Sequence, residues 1–162
     1  MTDAEKISDA MRRWADAQPL RRFLTYRLSV TQSKLNAQAT RYLREQVGLT
    51  LTQWRVIALI GGAGETTLTE LCRTSALDKG LVSRRVSALT EAGVINAAED
   101  EQDHRVQRLS LSEKGREIFA RTLPKMQARQ AFLNASLEPE ELETLMRALD
   151  KLELAAEVTE FE

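Results

Sequence analysis

The sequence predicts a mainly α-helical chain that carries one small two-stranded β-ribbon. Three observations lead there. Only three prolines and seven glycines interrupt 162 residues. Apolar residues recur at helical spacing over long stretches at both ends. One segment, residues 94–111, changes to period-two alternation.

The first long helix is expected to start near Pro19, a residue favoured at the first helical position. Leu20, Leu24, Leu28, Leu35, Ala39, Tyr42 and Leu43 follow at helical intervals, and Gly48 supplies the stop. Met11, Arg12, Arg13 and Trp14 precede it, in a short helix or arm. Thr52 is then expected to cap a core helix with Trp54, Val56, Ile57 and Ile60 inward. "GGAGE" reads as a helix stop and turn, because no Gly-Lys-Ser/Thr follows to make it a phosphate-binding loop. Thr67 or Thr69 can cap a short helix with Leu68, Leu71 and Cys72 inward.

After the turn "TSALD", a second helix is expected over 79–92, with Gly93 at its end. Projected at about 100° per residue, Val82, Val86 and Leu89 fall on one stripe. Gly80, Ser83, Arg84, Ser87 and Glu91 occupy the opposite arc, with Lys79 and Arg85 on its flanks. A short helix, a tight turn and a second helix with a polar outer face are the grammar of a helix-turn-helix. The period-two segments "VINAAED" and "RVQRLSLS" then flank the polar loop "EDEQDH", which makes a β-wing. Ser112 caps a long helix that Pro124 should bend. Glu138-Pro139-Glu140-Glu141 opens another, with Leu142, Leu145, Met146, Leu149 and Leu152 on one face.

Composition limits the functions such a chain can have. Hydrophobic residues make up 43% and charged residues 29%, enough for a packed core. No apolar run approaches the roughly 18 residues of a membrane span, and no basic segment followed by an apolar one marks a signal peptide. A cytoplasmic protein without a membrane segment is the expectation. One cysteine and one histidine exclude an intramolecular disulfide and the usual Cys/His zinc clusters. They equally leave no Ser-His-Asp set or metal centre, and no nucleotide loop is visible, so no enzyme and no cofactor is expected. Formal net charge is −1, so nucleic-acid binding would depend on local placement of cations.

The stretches "LDKGLVSRRVSALTEAGVI" and "DEQDHRVQRLSLSEKG" together resemble the MarR family of winged helix-turn-helix transcriptional regulators. Asp103, Arg105, Leu111, Ser112 and Gly115 match that family's wing pattern. "GLTLTQWRVIALI" resembles its second helix, and the likeness extends over roughly residues 20 to 156. The resemblance implies a homodimer with interlocking terminal helices, binding double-stranded DNA at a pseudo-palindromic operator. It also implies release of that DNA by a small molecule or an oxidant.

Within one single-domain protomer, residues 1–48 are read as N-terminal arm and dimerisation helix, 49–115 as the winged DNA-binding lobe, and 116–162 as C-terminal dimerisation helices. The expected function is a sequence-specific regulator acting as a repressor.

In this frame Arg84, Ser83 and Ser87 are assigned to the major groove, where arginine donates two bonds to guanine. Lys79 and Arg85 lie nearer the phosphates, and Gly80 allows close approach. Taken alone, the same residues suit a solvated helix face; the helix-turn-helix context decides for the groove. Arg105 at the wing tip suits a narrow minor groove, with Asp103 orienting it. Glu99, Asp100 and Glu101 nearby oppose phosphate approach. His104 reads as a solvated loop residue and Cys72 as an inert core thiol.

Phe23, Tyr26, Trp54 and Trp14 could line a cleft for a small aromatic or phenolic effector; for any one of them, plain core or dimer packing is the stronger reading. The competing function is a winged-helix protein-interaction module that binds no DNA, for which a net charge of −1 is no handicap.

Overall fold

In the computed structural model the described residues are 20–75, 77–100, 103 and 106–159. The arm around Trp14, the proline at 19, and His104 and Arg105 of the wing lie outside them. A 3-10 turn, Leu20–Arg22, leads into α1, Leu24–Val47. The long helix therefore begins later than Pro19. It ends as expected, with Gly48 in the left-handed region at φ 72°.

Helix α2 is Leu51–Ala63, and its cap is Thr50, not Thr52. Gln53 decides this: its backbone N–H donates to Thr50 Oγ1, and its side chain accepts the Thr50 N–H at 2.9 Å. That reciprocal box needs a Gln or Glu three residues after the cap, which Thr52 lacks. Gly61 and Gly62 lie inside α2, so the stop falls later in "GGAGE", at Gly64 with φ 76°.

A strand that alternation did not reveal, β1 (Glu65–Thr67), comes next. Then follow α3 (Leu68–Thr74), α4 (Lys79–Glu91), β2 (Ile95–Glu99), β3 (Gln107–Leu111), α5 (Glu113–Asn134) and α6 (Pro139–Ala155). The wing is thus part of a three-stranded antiparallel sheet in the order β1-β3-β2. Thr66 pairs with Leu109, and Leu109 with Ala97. Val106, expected in the strand, sits just before it.

Thr67 caps α3 by accepting the N–H of Glu70, and Ser112 caps α5 by accepting that of Gly115. Helix α5 passes through Pro124 as one continuous element. A capping box between Glu138 and Glu141 opens α6.

The core lies inside the winged lobe. Leu43, Trp54, Val56, Ile57, Ile60, Leu71, Val82, Val86, Leu89, Ile95, Leu109 and Leu111 form one buried cluster. Cys72 packs half-buried against it. The terminal helices are different. Leu24, Leu28 and Leu35 of α1 and Leu145, Met146 and Leu154 of α6 remain exposed. Among the described residues, no helix is long and apolar enough to cross a membrane.

Candidate nucleic-acid interface

Helix α4 is placed by its apolar stripe. Val82, Val86 and Leu89 are buried, which turns the opposite arc outward. Lys79, Gly80, Arg84, Ser87 and Glu91 are exposed there, while Ser83 and Arg85 are half-buried. The Nε of Arg85 is enclosed and has no hydrogen-bond partner among the described residues. Asp78 fixes the start of the helix, its Oδ1 accepting the N–H of Leu81 at 3.0 Å. A side chain at Gly80 would lie 3.1 Å from that same oxygen, so glycine also protects the cap.

The far end of α4 is joined to the wing. Gly93, at φ 68°, turns the chain into β2. The Ser112 hydroxyl donates to the Gly93 carbonyl at 2.7 Å, its N–H donates to the Val94 carbonyl, and Lys114 Nζ donates to the Ala92 carbonyl. These three bonds tie the end of α4 to the junction of β3 and α5. Between the start of α4 and the wing lies a polar hollow of about 310 Å³, lined by Thr67, Thr69, Lys79, Glu99 and Gln107.

The wing's acids are not alike. Asp103 is exposed. Asp100, counted above among the charges opposing phosphate, is buried. It is paired with Arg108 of β3, whose Nη1 also donates to Glu65 of β1 at 2.7 Å. Glu65 first and Asp100 second hold the Arg108 guanidinium above its ordinary range. The sequence reading missed Arg108 and Glu65. Their signal was faint: an acid at the start of the wing loop facing a cation on the returning strand.

The residues suggested for an effector are scattered. Trp54 is buried, stacked on Phe119 with ring centroids 6.0 Å apart, and lines a cavity of about 650 Å³ between α1, α2, α5 and α6. Phe23 is exposed and Tyr26 half-buried, and neither lines that cavity. Two guanidiniums do. Arg55 donates to Asn36 Oδ1 at 3.1 Å, and Arg129 donates from Nη2 to the Leu35 carbonyl at 2.9 Å. Burial draws the Arg129 guanidinium below its ordinary value.

Residues 47–106 match the model of the MarR family. No curated protein matches the sequence. Among solved structures, a MarR/EmrR family transcriptional regulator from Acinetobacter sp. ADP1 is similar at TM-score 0.79 and 24% identity, covering 86% of this chain and 99% of that one. Bordetella bronchiseptica BpsR, described with regulation of its DNA binding by 6-hydroxynicotinic acid, is similar at 0.73 and 17%, covering 84% and 96%. A mutant of Escherichia coli MarR complexed with operator DNA is similar at 0.68 and 23%, covering 83% and 99%. Residues 47–106 are thus similar to the MarR family, and the protomer as a whole shares the fold of these solved structures.

Proposed function

We propose that the protein is a repressor that binds a pseudo-palindromic operator in double-stranded DNA as a homodimer. One observation carries this reading. Helix α4 buries Val82, Val86 and Leu89 and turns Lys79, Gly80, Arg84 and Ser87 outward, beside a wing bonded to the end of the same helix. Arg84, Ser83 and Ser87 take the base edges; Lys79 and Arg85 take phosphates. Arg105 enters the minor groove and Asp103 orients it.

A dimer accounts for the exposed apolar faces of α1 and α6, more surface than a small monomer usually leaves bare. The cavity containing Trp54, Arg55 and Arg129 is the place for a small aromatic or phenolic ligand that releases DNA. Its walls are mainly apolar, with two guanidiniums to meet a polar substituent. The similarity to BpsR and to the operator-bound MarR mutant supports both parts of the reading.

Selection of duplexes from a randomised pool, followed by footprinting, tests it. The expected product is a site with two related half-sites about one helical turn apart, bound with an affinity that falls steeply with salt. Retention of no duplex above background would favour the protein-interaction module instead.

A further inference from the structure

One carboxylate organises the wing loop. Asp100 directly follows β2, and its side chain is only 10% exposed. Its Oδ1 accepts the backbone N–H of Asp103 at 2.9 Å, and its Oδ2 accepts the Nε–H of Arg108. Two backbone bonds complete the loop: Asp100 N–H donates to the Val106 carbonyl at 2.9 Å, and Val106 N–H to the Asp103 carbonyl at 2.8 Å. Residues 100, 103 and 106 are thereby tied in a ring, and Arg108 holds that ring to the sheet.

The two ion pairs of Arg108 differ in weight. Arg108 and Glu65 have side chains 51% and 52% exposed, so water and salt screen that pair. Asp100 is enclosed, and an enclosed carboxylate without a cation is strongly disfavoured. The arm toward Asp100 therefore carries the restraint.

We propose that Asp100 and Arg108 are positioning residues of the DNA interface: their ion pair across the wing hairpin holds the chain at Asp103, which the DNA-binding reading sets against the duplex. The affinity part rests on the DNA-binding reading above; the loop part does not.

Two measurements on the full chain test it. Amide hydrogen exchange needs no DNA. In Arg108→Gln the amides of Asp103 and Val106 should exchange about tenfold faster, while those of α2 stay unchanged. Unaltered exchange at Asp103 would overturn the proposal. Arg108→Gln removes a cation from a buried carboxylate and is the variant most at risk of unfolding. The double variant Asp100→Ala/Arg108→Gln removes that carboxylate and should show the same fast loop exchange.

The second measurement is a titration of a duplex selected by the wild-type protein. Asp100→Ala and Arg108→Gln should each weaken binding about tenfold, and the double variant by about the same factor, not by the product. Charge counting predicts the reverse sign for Asp100→Ala, because a negative group near phosphate is lost. Tighter or unchanged binding by Asp100→Ala, or losses that multiply, would overturn the positioning role. Glu65→Gln should stay within about twofold; a loss matching that of Arg108→Gln would refute the unequal weighting. Should the wild type select no duplex, the DNA-binding reading fails while the exchange result still decides the loop restraint.

Discussion

Phe119 of α5 packs against both Trp54 and Gly61 of α2: the Trp54 ring stacks on it at an interplanar angle of 19°, and the Gly61 backbone leaves no room for a side chain beside the same ring. A Cβ added at Gly61 would stand 2.8 Å from Phe119 Cδ2 and 2.9 Å from its Cγ. The whole ring must move, not only its tip. Gly61→Ala gains about 1 kcal/mol of helix propensity, against an overpacking cost of about 1–3 kcal/mol. The expected outcome is a net loss near 1 kcal/mol, read as a lower urea midpoint at unchanged slope. A stabilised Gly61→Ala would mean that α2 and α5 part without cost.

Gly115 is tighter still. A side chain there would press into the backbone carbonyl of Val94, and the Cβ of Leu111 stands at 3.2 Å. Backbone cannot rotate aside as a side chain can. Gly115→Ala should cost about 3 kcal/mol, at the upper end for overpacking. It should also open the junction where Ser112 bonds to Gly93 and Val94. Thermal unfolding checks the first effect, and faster exchange of the Ser112 amide checks the second.

Arg84→Ala and Arg85→Ala should separate. Arg84 is exposed opposite the buried stripe, so its loss should lower both affinity and discrimination by roughly 1–3 kcal/mol per half-site. Arg85 is half-buried on the flank. Its loss should weaken all sequences alike and reduce the salt slope by about one per half-site. Titrations of matched and mismatched duplexes at several salt concentrations measure both. Exchange of these two behaviours between the mutants would place Arg85, not Arg84, at the bases.

The terminal helices make a prediction about assembly. Leu145 and Met146 are 42% and 53% exposed on the apolar face of α6. A homodimer at micromolar concentration is expected by light scattering. Leu145→Glu/Met146→Glu should shift it to monomer while the lobe keeps its fold, because neither residue belongs to the buried cluster. A folded wild-type monomer would remove the need for any partner on that face.

Sequence alone determined whatever depends on neighbours three or four residues apart. The stripe Val82, Val86 and Leu89, the stop at Gly48, the cap at Ser112 and the start at Glu138-Pro139 all follow from local geometry. Even the Thr50 cap was written locally, in Gln53, though Thr52 competed for the role. Tertiary structure decided the remainder. A strand as short as Glu65–Thr67 exists only because β3 offers it partners: Ser110, Leu109 and Arg108. Asp100 reads as one more acid in a polar loop until the hairpin folds and sets it against Arg108. Charge then becomes structure: the same carboxylate that in an open chain would repel a phosphate is, in the folded wing, buried and neutralised. No periodicity records such a pairing, because the two residues meet only through the register of β2 on β3.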